Sequence, residues 1–299
     1  DDDDDEWDNR MYYMNYSATV FESVTYLRLR LWTMANHNHK QLNVRMGGAL
    51  LLENIKNAKL TRATDGGGAL AVISSSSVVI QSSRFENCYS ADGGAIYFAN
   101  TPETSWHTII QTKIINSVFN NNTAEFEGGV IRFNEGSFSI TNCTFSNSHA
   151  KMGGVLSLND INYALIDNSV FVNNTALTSG GVIMELGVLN SNSMKRNFST
   201  VVRNSIFNYN RAFLSGGVMF LASQSWLIEN SSFTGNRADV FGGVIFLPAD
   251  KSSIHIMSSS FTANKANMDG GCFYLTGFVI NVFFHLSVIK YKQHNTIQI

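Results

Sequence analysis

Residues 166–186 read IDNSVFVNNTALTSGGVIMEL, residues 202–221 read VRNSIFNYNRAFLSGGVMFL, and residues 228–247 read IENSSFTGNRADVFGGVIFL: three spellings of one unit. Self-similarity at a fixed period marks a repeat architecture. Paired glycines end at Gly48, Gly68, Gly94, Gly129, Gly154, Gly181, Gly217, Gly243 and Gly271, and the successive separations of 20, 26, 35, 25, 27, 36, 26 and 28 give a period of about 26. Seven units carry a phenylalanine nine or ten residues before the second glycine: Phe85, Phe119, Phe145, Phe171, Phe207, Phe233 and Phe261. Five residues earlier stand Ile80, Ile114, Ile140, Ile166, Val202, Ile228 and Ile256, all β-branched, which favours strands.

Two polar columns flank the phenylalanine. Before it come Asn or Ser and then Ser or Cys, as in Asn168-Ser169. Three residues after it come Cys88, Asn122, Ser148, Asn174, Asn210, Asn236 and Asn264. Two helices per repeat need more than about 30 residues and apolar positions at helical spacing, so a helical solenoid does not fit. Short strands broken by Asn, Ser and Gly turns predict an all-β chain, a single parallel β-helix solenoid of about nine coils. Phe119, Phe145, Phe171, Phe207, Phe233 and Phe261 are expected to stack coil over coil, and the Asn122, Asn174, Asn210, Asn236 and Asn264 amides to form a ladder. The five-residue step from Ile166 to Phe171 cannot keep both inward on one straight strand, which predicts a corner at Asn168 and Ser169. Paired glycines suit a corner that needs positive φ and leaves no room for a Cβ.

The expected organisation is an acidic lead-in and N-terminal capping segment over 1–46, repeats over 47–276, and a C-terminal cap or tail over 277–299. The charge sum, 21 basic against 23 acidic residues, gives −2 and speaks against a nucleic-acid partner. Charged residues make up 15%, below the roughly 25% usual for soluble domains, so neutral ladders are expected in place of ion pairs. The cysteines Cys88, Cys143 and Cys272 are odd in number and widely spaced, which fits small buried residues better than a disulfide framework.

The stretch FENCYSADGGAIYF, residues 85–98, resembles the paired F-x-x-N and G-G-A-I repeats of chlamydial polymorphic outer-membrane proteins, and similar repeats occur in protist surface proteins. The resemblance covers about residues 47–276; other units read GGVI, GGVL, GGVM, GGCF or GGAL. It implies a right-handed β-helix exposed outside a cell and used for adhesion or surface structure. The partners to expect are other proteins or surface glycans, a membrane only through a part of the protein beyond this stretch, and further copies of the chain in an oligomer or filament.

Two long units carry extra residues near 98–108 and 185–200, which must leave the coil as loops, and loops on a rigid scaffold are contact sites. Asn197, in the second insertion, and Asn15 begin glycosylation sequons. Asn142 and Asn230 also begin sequons but are read as ladder positions, where a glycan would disrupt stacking. Parallel β-helices also host polysaccharide lyases and hydrolases, which need clustered acids. Asp65, Asp92 and Glu127 precede the diglycines of successive units and could line up as a stripe for calcium or paired carboxylates; because the same column holds Met152, Ser179, Ser215 and Phe241 in later coils, it reads better as a tolerant, solvated turn position. His37 and His39 lack an indicated third metal ligand, and no motif calls for a cofactor. The function read from the sequence is a non-catalytic surface protein, with a polysaccharide-active enzyme as the alternative.

Overall fold

Left-handed backbone at three positions per coil sets the shape. One precedes each phenylalanine by three residues (Asn116, Asn142, Asn168, Asn204 and Asn230, with Ser82 and Ser258), at φ between 44° and 54°. A second follows it by two (Asn87, Asn121, Asn147, Asn173, Tyr209, Gly235 and Ala263), and the third is the first glycine of each pair from Gly67-Gly68 onward. Asn and Gly tolerate this region best, so columns of Asn and Gly mark where an extended chain can turn sharply.

The computed structural model describes residues 67–73, 77–99, 111–186, 200–222, 225–248 and 253–276, and the backbone of strands lying outside them. Among the described residues, strands gather in parallel sheets of 18, 8 and 7 strands, the architecture of an all-β parallel β-helix. The large sheet holds two ladders side by side. The first runs from Ala18–Glu22 through Ile96–Ala99 and Ile183–Leu186 to Phe273–Leu275; the second runs from Tyr26–Arg30 through Gln111–Ile115 and Thr200–Arg203 to Asn281–His285. In two coils one long strand serves both, Ile131–Thr141 and Leu156–Asp167. Both long insertions open at the junction between these ladders. Asp167 still pairs with Arg203, 36 residues on, in the same register as the uninterrupted coils.

After the first corner comes the phenylalanine sheet, from Arg84–Glu86 to Val288–Lys290, and after the second the alanine sheet, from Tyr89–Ser90 to Lys265–Ala266. The strands Asn281–His285 and Val288–Lys290 pair in register with Ser253–Met257 and Ser260–Thr262, with Ile289 opposite Phe261. Stacking therefore continues past the end of the phenylalanine and diglycine columns at Thr276. It also begins ahead of residue 47, where Ala18–Glu22 pairs with Gln41–Arg45. A parallel ladder needs extended backbone and a neighbour, and not the corner glycines.

Six ring pairs run from Phe85 to Phe261 with centroids 4.7–5.1 Å apart and planes within 5°. The β-branched column from Ile80 to Ile256 is fully buried beside it. The buried asparagines close their own ladder: Asn210 Nδ2 donates to Phe171 O at 3.0 Å in the coil before and to Asn236 Oδ1 at 3.0 Å in the coil after, while its Oδ1 accepts from Asn174 N at 3.0 Å. The serine column works alike. Ser205 Oγ accepts from Ser169 N at 3.2 Å and donates to Arg203 O at 2.7 Å, and Cys143 stands in with its sulfur 3.4 Å from Ser117 N. The buried side chains of these two columns thus bond backbone groups of their own and neighbouring coils.

The two glycines of a pair do different work. Gly216 has φ +66, whereas a Cβ on Gly217 would lie 2.2 Å from Gly243 O of the next coil. The first supplies the turn and the second the close approach.

Candidate functional site

The outer side of the first ladder carries one side chain per coil in register: Tyr97, Arg132, Ser157, Met184, Phe220, Phe246 and Tyr274. Next to it runs the residue before each diglycine, including Asp92, Glu127, Met152, Phe241 and Asp269, partly joined by isolated bridges. Arg132 ties the two rows together. Its Nη1 lies 2.6 Å from Asp92 Oδ2, its Nε 3.4 Å from Glu127 Oε2, and its Nε also donates to Asn134 Oδ1 at 3.3 Å. Glu127 N donates to Asp92 Oδ1 at 3.2 Å, and the buried Ser157 hydroxyl donates to Glu127 Oε2 at 2.9 Å. Asn159 Nδ2 donates to Asn134 Oδ1, Asn134 Nδ2 to Tyr97 Oη, and the guanidinium lies 6.0 Å from the centre of the Tyr97 ring.

Asp92 and Glu127 are thus brought together as neighbouring acids, partly buried and partly open to solvent. Burial pushes the Asp92 carboxyl above its ordinary value; the Arg132 charge pulls the other way and loses, and Glu127 adds to the rise. A guanidinium shared between two carboxylates makes a cross-coil clamp. Asp269 stands at the far end of the row beyond Phe241, away from these acids. Among the described residues no group of three or more His, Cys, Asp or Glu could hold a metal ion. Asp65, His37 and His39 lie outside the described residues, as do the sequon residues Asn197 and Asn15.

Asn142 and Asn230 belong to the column of the corner expected at Asn168 and Ser169. They sit exposed at that left-handed corner, apart from the buried ladder three residues after the phenylalanine. There Asn142 Nδ2 donates to Asn116 Oδ1 at 3.1 Å and its Oδ1 accepts from Asn168 Nδ2 at 2.6 Å, a chain of amides on the surface. Cys88, Cys143 and Cys272 are buried free thiols; burial pushes Cys143 up to about 11 and Cys272 up to about 12, far from nucleophilic use.

Sequence reading missed the basic partner of the acids and the corner two residues after the phenylalanine. The second had a signal, the run of Asn and Gly at that position; Arg132 had none, since outward pairing leaves no period of its own.

The fold and these interior columns define a parallel β-helix repeat protein. The family model of the Chlamydia polymorphic membrane protein repeat matches residues 230–248, the unit from the Asn230 corner through Phe233 and Asn236 to the Gly242-Gly243 turn and the strand beyond it. The chain resembles that family in sequence and in the stacked parallel sheets that its repeats build here. No curated protein and no solved structure matches it.

Proposed function

We propose that the chain is part of a cell-surface protein that works by binding, through the outer faces and insertions of its β-helix, and performs no catalysis. The observation that carries this reading is the similarity of residues 230–248 to the Chlamydia polymorphic membrane protein repeat. The outer cluster agrees with it, because Arg132 engages both Asp92 and Glu127. Carboxylates held by a cation between coils serve the wall of the solenoid. The interior fixes a rigid support, and the outward positions differ from coil to coil, as a binding surface requires.

Two measurements test it together. Beads coated with the purified chain are expected to adhere to cell surfaces, and the full gene product is expected on the outside of intact cells, open to added antibody. A panel of acidic and neutral polysaccharides, incubated with the chain and calcium, is expected to stay intact. Turnover abolished by Asp92→Asn would replace this reading with the polysaccharide-active one.

A further inference from the structure

Each strand of the alanine sheet shows one residue outward, and these stand in register as Tyr89, Thr123, His149, Thr175, Arg211, Arg237 and Lys265. The last three are cations on successive coils, spaced by about 4.8 Å. Like charges directly opposite one another weaken a sheet, so the row costs stability on its own. Asp239 accepts from Arg211 Nη2 at 2.6 Å and from Arg237 Nε at 2.9 Å, and Arg237 Nη2 also reaches Asn267 Oδ1 at 3.4 Å. One acid against three bases leaves 3 − 1 = +2. These contacts orient the guanidinium planes, and the Arg211 head group rests 4.1 Å from the centre of the Phe213 ring. The side chains of Arg211 and Arg237 nevertheless remain 39% and 44% exposed, with N–H donors to spare.

Beside this row stands an aromatic shelf. Tyr209 occupies the left-handed corner at φ +56, where a bulky side chain is strained, and it is 61% exposed. Its ring lies over Gly235 of the next coil, so closely that a Cβ there would meet Tyr209 Cε1 at 2.6 Å. Gly235 and then Ala263 keep the following corners low beside Arg237 and Lys265. An exposed ring packed against the next coil's backbone beside a row of cations joins the two contacts a charged sugar offers, an apolar C–H face and an anionic substituent.

We propose that Tyr209, Arg211, Arg237 and Lys265 form a binding site for a linear anionic polysaccharide, bearing carboxylates or sulfates and running parallel to the stacking direction of the coils. A polysaccharide running along the stack keeps its negative groups against a row of cations about 4.8 Å apart while one ring stacks on Tyr209. The proposal rests on the reading of the protein as a surface binder and narrows its partner to a charged glycan.

Titration of the whole chain with heparin and with polygalacturonate tests it, with neutral dextran and single-stranded DNA as comparisons. Binding of at least one anionic glycan is expected, weakening as salt rises from about 50 to about 300 mM. Arg237→Ala with Lys265→Ala is expected to weaken it about tenfold or more. Tyr209→Asn removes the ring while suiting the left-handed backbone, and is expected to weaken binding several-fold. Lys113→Ala, exposed on the large sheet, is expected to leave it unchanged. If the alanine pair melts early, Arg237→Gln with Lys265→Gln takes its place. Affinity untouched by either pair overturns the site, and DNA bound as tightly as the glycans makes it a nucleic-acid surface. A chain that adheres to cells yet binds neither glycan overturns this inference alone, whereas loss of adhesion to cells removes the surface-binding reading itself.

Discussion

Asn210 and Asn204 stand six residues apart in one coil and meet opposite surroundings. Asn210 is buried, with its amide bonded to the coil before and the coil after. Asn204 is exposed at φ 52, and its amide reaches only Asp167 Oδ1 at 2.9 Å on the surface. Inside the solenoid the asparagine is chosen for its side chain, which bonds backbone groups of the coil before and the amide of the coil after. At the corner it is chosen for its backbone, because it tolerates the left-handed region. One letter repeated at two column positions therefore carries two unrelated requirements, and substitutions separate them.

The largest effect belongs inside. Phe171→Ala empties one place in the ring stack and is expected to cost roughly 3–5 kcal/mol in urea denaturation; less than about 1 kcal/mol would place the column outside the core. Asn210→Leu fills a similar volume but removes the side-chain bonds to Phe171 O and Asn174 N and takes one bond each from Asn174 Nδ2 and Asn236 Oδ1, and is expected to cost about 3 kcal/mol. At the corner, Asn168→Ala is expected to cost about 1 kcal/mol and Asn168→Gly only a few tenths, since the requirement there is conformational. Equal losses for the two Asn168 variants would mean that the surface amide chain, and not the backbone, sets the residue. Conversely, Ala263 sits exposed at φ 56, and Ala263→Gly is expected to raise stability by up to about 1 kcal/mol.

The smallest effect lies on the outer wall. The folded Asp92 carboxyl holds its proton more tightly than the ordinary value of 3.8, so its contribution to stability is present below that pH and is lost as pH rises through the higher folded value. Denaturation midpoints followed from about pH 3 to about pH 6 are expected to fall less with rising pH in Asp92→Asn than in the wild type. A steeper fall in the variant would mean that Arg132 outweighs burial at this carboxyl.

The interior was legible because it repeats. A side chain that stacks on its own copy in the next coil must recur at the coil period, so Phe171, Ile166 and Asn174 announced themselves, and the five-residue step between Ile166 and Phe171 revealed the corner between them. The outer wall obeys no such demand. Arg132 faces Tyr97 on one side and Ser157 on the other, three unlike residues, and no spacing foretells that the guanidinium would collect Asp92 and Glu127. The exposure of Asn142 was not legible for a related reason: a small polar column looks the same whether its amides ladder inside the coil or on its surface.

The junction between the two ladders of the large sheet accepts extra chain in two coils without shifting a single pair on either side. Closing a longer loop costs little more than closing a short one, because the penalty grows only with the logarithm of length. The junction is therefore a port: what is inserted there can change in size and sequence while the frame around it stays fixed. The two ports in use are three coils apart, about 14 Å along the stack. Whatever those insertions become in a related chain, the solenoid holds their roots at that separation, as a ruler holds its marks.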